Sequence, residues 1–305
     1  MRHPDSKELA SKELSSSSQS HTESGQLYVV ATPIGNLADI SDRGIATLRQ
    51  VDCILAEDTR HSKRLLSHYG ITTRLRSCHE HNEAAQIEWV AQALQAGQDL
   101  ALISDAGTPL ISDPGFVLVR GLRELGLSVV SVPGPSSIIA ALSIAGLPTD
   151  SFVYDGFLPA KSSARQTALK VYQEETRTIV LLESSHRISA CIQSIVDVLG
   201  AKRYIVLARE LTKRFETVIS GTAEDVLQRL SNDSDQTRGE FVLMISGVPE
   251  QDQGDEIQTT LQAILSTLVA ELPVKQAAAL AVKLTGARKN EAYTLAQKIK
   301  DSLDD

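Results

Sequence analysis

The chain has 305 residues, 42% apolar and 22% charged, with 30 Lys and Arg against 38 Asp and Glu for a formal net charge of −8. This length exceeds one small domain, and the composition excludes bulk disorder. The acidity excludes a protein that coats nucleic acid through broad positive potential, while leaving room for a local basic patch. No apolar run reaches the roughly 18 to 20 residues that span a bilayer, and the N-terminus offers Ser and charge where a signal peptide has an apolar core. The expected location is therefore cytoplasmic, with no membrane partner. Cys53, Cys78 and Cys191 are odd in number and form no Cys-x-x-Cys pair, so neither a disulfide framework nor a structural zinc site is predicted.

Residues 1–24 are Ser-rich and polar, with little to bury, and are expected to form a disordered arm. A first α/β domain is expected over 25–148. Its buried strands read as LYVVAT (27–32), VDCILAED (51–58), DLALIS (99–104) and LSVVSV (127–132). Between them, Asp39, Ser41 and Asp42 offer caps for a short helix reaching about Arg49, helices are predicted over about 83–96 and 116–125, and a segment from about residue 60 ends at Gly70. A small-residue helix follows Pro133-Gly134-Pro135-Ser136-Ser137 and runs to Gly146. Strands alternating with helices predict a mainly parallel sheet.

A second, mixed α/β domain is expected over 149–249, with strands at 152–157, 178–183, 204–209, 215–220 and 240–246. The gap over 211–215 is too short for a helical crossover, so antiparallel pairing is expected there. Residues 250–256 are acidic and contain Gly254, which reads as a solvated linker. Residues 257–305 read as a helical module, with Pro273 near a helix start and Gly286 at a break. Between residues 274 and 300 it carries Lys275, Lys283, Arg288, Lys289, Lys298 and Lys300 against the single acid Glu291.

Three loops follow strand ends in the first domain: 32–36, 104–109 and 133–137. In open α/β sheets ligands bind at the carboxyl ends of strands. Gly35 and Gly107 permit close backbone approach, and the neighbouring Ser and Thr add short hydrogen-bonding groups. The plain alternative is that Ser136 and Pro135 merely cap a helix. No Gly-x-Gly-x-x-Gly or P-loop fingerprint is present. His79-Glu80-His81 invites a metal reading, but alternate histidines in a polar loop read better as surface residues, and no metal is expected.

The segments VATPIGNLADIS (30–41), LAEDTRHSKRLL (55–66), SDAGTPLISDPG (104–115), VPGPSS (132–137) and ESSHRI (183–188), in this order, resemble the bacterial small-subunit ribosomal RNA cytidine 2′-O-methyltransferases of the tetrapyrrole-methylase superfamily. The likeness runs from about residue 27 to the C-terminus. Asn36 stands where precorrin methylases usually carry the final acid of the first loop, and Ala106-Gly107 replaces a proline of their second. The resemblance implies two α/β domains with S-adenosylmethionine in the cleft between them, plus the helical module. It places cofactor contacts on Pro33, Asp105, Thr108, Ser136 and Ser137, and less directly on the backbone around Leu182, Glu183 and Ser246. It also implies a decoding-centre cytidine, position 1402 of 16S rRNA, as target, the small ribosomal subunit as partner, and a homodimer.

With that cofactor, the free amides at the helix start near Ser136 and Ser137 suit its carboxylate, and Asp105 suits its amino or ribose groups and its sulfonium charge. A ribose hydroxyl is a poor nucleophile, so a proton acceptor is needed. Glu57, Asp58 and Glu183 are candidates at strand ends, with ion pairing of Glu57 or Asp58 to Arg60 or Arg64 the alternative, and the base stays unassigned. Two basic groups, one of Arg60, His61, Lys63 and Arg64 and one of Arg209, Lys213 and Arg214, together with Arg288 and Lys289, are candidates for RNA phosphate contacts, or else solvated surface. Two other readings remain open. One is a small-molecule or protein methylase of the same superfamily, against which the basic helical module argues; the other is a noncatalytic RNA-binding or ribosome-assembly protein.

Overall fold

The computed structural model describes residues 24–248 and 250–304; the arm expected over 1–24 lies outside them apart from its last residue. The chain divides into two compact units, one ending at Pro33 and resuming over Leu37–Pro135, the other made of Ile34–Asn36 and Ser136 onward.

The first unit holds β1 (Leu27–Val30), α1 (Asp42–Gln50), β2 (Cys53–Ala56), α2 (Thr59–His68), β3 (Arg74–Ser77), α3 (Glu83–Gln95), β4 (Leu100–Ile103), α4 (Phe116–Glu124) and β5 (Val129–Val132). The strands form one parallel sheet in the order β3-β2-β4-β1-β5. Continuous apolar runs are what a sheet covered on both faces requires. Leu27, Leu55, Leu100 and Leu102 pack with Val90, Leu118 and Leu122 of α3 and α4. The alternate residues Val30, Ile54, Ala101 and Ile103 pack with Leu48 and Leu65 of α1 and α2.

Strand β3 was not foreseen. Its sequence RLRS carries arginine at alternate positions, and it pairs only with β2, so it is an edge strand whose charges blunt further pairing. Sequence periodicity has little to read in such a segment.

The second unit holds α5 (Ser137–Ala145), β6 (Phe152–Phe157), α6 (Ser162–Leu169), β7 (Thr178–Ser184), α7 (Ile188–Leu199), β8 (Tyr204–Arg209), β9 (Thr217–Thr222), α8 (Ala223–Asn232) and β10 (Glu240–Ile245). Its sheet runs β6-β7-β10-β8-β9, with only β6 and β7 parallel. The short connection over 211–215 is the turn of the antiparallel β8–β9 pair, as its length requires. One face buries Ile179, Leu181, Leu207 and Leu243 under Ile188, Ile192 and Val226 of α7 and α8. The other buries Val180, Val206, Val242 and Met244 under Ile138 and Leu142 of α5, with Ile34 alongside.

That second packing accounts for a boundary at Ser136 instead of at 148. Helix α5 follows β5 in sequence, but its apolar face is spent on the second sheet. The stretch 250–256, expected as a linker, is the beginning of α9 (Glu250–Glu271). Helices α10 (Val274–Thr285) and α11 (Lys289–Asp304) complete a separate small core of Leu261, Leu265 and Val269 against Ala277, Ala281, Ala292 and Ala296. Pro273 sits at the N-cap of α10, and Gly286 ends it at a φ of 72°.

Candidate active site

In the first unit the chain leaves β1 toward β2 and leaves β4 toward β5, in opposite directions, although β1 and β4 are neighbours. Helix α1 covers one face and α4 the other. Their carboxyl ends therefore flank a topological switch point, where an α/β sheet opens a crevice. The three small-residue loops foreseen from the sequence are joined there. Thr32 and Gly107 exchange two main-chain hydrogen bonds, N to O at 2.9 Å and 3.0 Å, and the Thr32 hydroxyl donates to the Ser104 carbonyl at 3.1 Å. The Thr108 hydroxyl donates to the Pro135 carbonyl at 3.0 Å, tying the second loop to the third.

The second loop is built under strain. Gly107 has a φ of 79°, and the non-glycine residues Leu110 and Ser112 have φ values of 73° and 64°. At Leu110 and Ser112, which are not glycine, this costs of order 1–3 kcal/mol each and persists only where surroundings hold it. Two holdfasts are visible: Leu110 packs into the core beneath, and the buried Glu83 carboxylate accepts the Gly115 N–H at 2.8 Å. Replacing Glu83 with alanine would strand that buried N–H, and urea unfolding should register a loss of about 1–3 kcal/mol. Glutamine, which keeps an acceptor, should lose less; an alanine variant as stable as the parent would show that Glu83 does not anchor the loop.

A carboxylate cluster stands at the same edge. Asp105 Oδ1 accepts the Asp58 N–H at 3.2 Å, linking the end of β4 to that of β2. Burial raises the Glu57 pKa above the carboxylate range, with the charges of Asp113 and Asp105 adding to it and the Asp105 N–H pulling back. Burial also raises Asp113, a residue the sequence reading passed over, against the Ser104 hydroxyl and with the charge of Asp105.

The candidate carboxylates part company here. Asp58 caps α2, accepting the N–H groups of Arg60 at 2.8 Å and His61 at 3.4 Å, and pairs with the Arg60 guanidinium at 3.4 Å. Those N–H donors, then the guanidinium, lower its pKa. The ion-pair alternative holds for this residue. Glu183 is also set apart. It shares the parity of Ile179 and Leu181, so it lies on the α7-covered face, where it pairs with Arg187 at 3.2 Å and raises Cys191, itself pushed up to about 12 mainly by burial. Its side chain is 1% exposed. As a proton acceptor for a substrate, Glu183 is corrected by the pleat. Glu57 alone of the three stays partly exposed with neither a cap nor an ion pair among the described residues.

Other expectations sort in the same way. Ser136 is the N-cap of α5 but its hydroxyl makes no cap bond, so the capping alternative does not use it; Ser137 opens the helix. Pro33 is half-buried beside Thr32. Gly35 is required by its neighbours in the second unit, because a Cβ there would lie 2.5 Å from Lys213 Cγ, and the next amide, of Asn36, donates to Thr212 Oγ1 at 3.1 Å. Leu182 lies on the α5 face opposite Val242. Ser246 sits four residues past Val242 along β10, roughly 13 Å away at the usual strand rise, so the sheet does not bring these two together.

Among the basic residues, Arg60, Lys63 and Arg64 are all exposed and share one face of α2, opposite the buried Leu65 and Leu66. Lys213 is not free for phosphate: its ammonium lies 3.0 Å from Glu210 and 2.8 Å from Glu240. Arg214, Arg288 and Lys289 are exposed. Among the described residues there is no group of three or more His, Cys, Asp or Glu placed to hold a metal, and no helix long and apolar enough to cross a membrane.

A topological switch point framed by interlocked small-residue loops, with carboxylates at its edge, is where α/β enzymes hold small ligands. The family model of the Tetrapyrrole (Corrin/Porphyrin) Methylases matches residues 26–227, and that of the RsmI C-terminal HTH domain matches residues 255–300. Proteins named Ribosomal RNA small subunit methyltransferase I are 50% identical in Escherichia coli O157:H7, over 89% of this chain and 94% of that protein, and 51% identical in Pseudomonas aeruginosa, over 88% and 95%. Among solved structures, a diphthine synthase superposes with a TM-score of 0.57 at 14% identity, covering 73% of this chain and 90% of the other. A cobalt precorrin-4 methyltransferase gives 0.53 at 17%, covering 74% and 95%. The uroporphyrin-III C-methyltransferase of Thermus thermophilus, complexed with S-adenyl homocysteine, gives 0.50 at 16%, covering 73% and 97%. The chain belongs to the tetrapyrrole methylases and, within them, to the family of these Ribosomal RNA small subunit methyltransferase I relatives, and it is a methyltransferase.

Proposed function

We propose that this enzyme transfers a methyl group from S-adenosylmethionine to the 2′-hydroxyl of a cytidine in small-subunit ribosomal RNA, cytidine 1402 of 16S rRNA. Half-identity to relatives named for that RNA, across nine-tenths of the chain, supports the substrate class. The single geometric observation that carries the reading is the α2 face with Arg60, Lys63 and Arg64. It begins three residues after Glu57, at the carboxyl edge that carries the loops. A basic helix face there can hold a phosphate backbone beside a proton acceptor.

The first unit fits the cofactor. Gly107 leaves the loop without a side chain at a φ of 79°, and Asp105 sets negative charge beside it. Pro33, Gly107 and Thr108 would frame the donor, and Asp105 would accept its amino or ribose hydrogens and favour its positive sulfur; for its carboxylate the family resemblance assigns Ser136 and Ser137, at the start of α5. S-adenosylmethionine, when bound, supplies an electrophilic methyl group. Glu57 Oε accepts the ribose proton as the hydroxyl attacks, and Lys63 and Arg64 hold the flanking phosphates. The family resemblance also assigns cofactor contacts to the backbone around Leu182, Glu183 and Ser246 of the second unit.

The test is transfer of labelled methyl from S-adenosylmethionine to 16S rRNA, free and within the small subunit, followed by nucleoside mapping. Label on the ribose of one cytidine is expected, and label on a base, or none on RNA, would refute the reading. Sedimentation of the same sample checks the homodimer that family likeness implies.

A further inference from the structure

The second unit contains a cavity of about 730 Å³, between the β8–β9 turn and the loop that precedes β10, which no step above uses. Its size falls within the roughly 300–1,000 Å³ of small-ligand pockets. One wall holds Arg209, whose side chain is nine-tenths buried. Its guanidinium donates to the carbonyl oxygens of Arg238 at 2.6 Å, Asp235 at 2.9 Å and Phe215 at 3.2 Å, and it forms no ion pair among the described residues. Through these three carbonyls the buried guanidinium clamps the two walls together, and its charge also acts on the Glu210 carboxylate.

At the mouth, Phe215 is 64% exposed and the Arg214 guanidinium lies over its ring, 5.5 Å from the centroid. The turn that presents this pair is strained, with φ values of 51° at Glu210 and 65° at Thr212. The carboxylates nearby are already engaged. Glu210 is taken by Lys213 and the Glu240 N–H, Asp235 by Arg238, Asp233 by the Asp235 N–H and the Gln236 amide, and Glu216 by the Thr212 N–H. At the mouth, Arg214 forms no ion pair among the described residues, so its guanidinium and the exposed Phe215 ring are the groups available to a ligand.

We infer that this cavity takes one unpaired nucleotide of the RNA substrate, its base on the Phe215 ring and its phosphate toward Arg214. A base within a duplex cannot reach such a face, whereas a splayed single-stranded one can. The pocket is thus a second hold on the strand, one that reads whether a nucleotide is unpaired. The inference rests on the RNA-methylating reading above.

Anisotropy titration of the full chain with a short unstructured labelled RNA, and with the same RNA annealed to its complement, tests it. Phe215→Ala should weaken single-strand binding roughly five- to hundredfold, Phe215→Tyr should restore it, and neither should change the weaker duplex binding or calorimetric affinity for S-adenosylmethionine. Arg214→Ala should reduce the salt dependence by about one ion. Unchanged single-strand affinity in Phe215→Ala overturns the pocket while leaving the methylation reading intact, as does a tyrosine variant no better than alanine. A parent protein that neither binds nor methylates RNA overturns both.

Discussion

Glutamine in place of Glu57 should lower kcat for RNA methylation by about 100-fold or more, the lower range of what a positioned proton acceptor contributes. The pH profile should separate a chemical from a structural role. Burial and the charges of Asp113 and Asp105 raise the Glu57 pKa, so the parent's activity should fall as pH drops through a value above the usual carboxylate range. The variant should lack that limb.

Stability should move the other way. A carboxyl group whose folded pKa is raised favours the fold fully below its unfolded pKa and loses that contribution as pH rises through the folded value. At neutral pH the ionised Glu57 is therefore a cost, and glutamine removes it, so Tm should hold or rise while kcat collapses. A variant that keeps both its rate and its acid limb would leave the reaction without its proposed proton acceptor.

Alanine in place of Asp105 should weaken S-adenosylmethionine binding about 10- to 100-fold, as expected for loss of hydrogen bonds to a charged group. Asp105 also accepts the Asp58 N–H, and asparagine keeps that acceptor while removing the charge. If the aspartate acts through charge on the sulfonium, asparagine should recover little of the lost affinity; if it acts only by joining β4 to β2, asparagine should recover most. Calorimetric titration distinguishes them, and parent-like affinity in the alanine variant would end the assignment.

The first sheet was legible because its strands are buried on both faces. Runs such as LALI and CILA leave little else for the chain to do, and the Gly and Pro punctuation after them marked the loops. What escaped depended on partners remote in sequence. Lys213 looked free for phosphate until Glu240 was found against it. Glu183 looked like a strand-end group facing a ligand, but its face is set by the register of β7 on β10, and a one-residue change in that register reverses the side. Helix α5 was assigned by sequence order to the sheet it follows, while Ile138 and Leu142 pack on the other. The Arg209 clamp uses backbone oxygens of residues up to 29 positions away, which no side-chain pattern signals.

The bonds that lock Thr32 to Gly107 run from main chain to main chain. A frame fastened in that way needs particular side chains only at its holdfasts, Thr32, Thr108, Leu110 and Glu83, and leaves the exposed Ala106 between them free to vary. Solved structures of enzymes named for precorrin, uroporphyrin and diphthine share this fold at 14–17% identity, and a fold by itself does not fix the substrate.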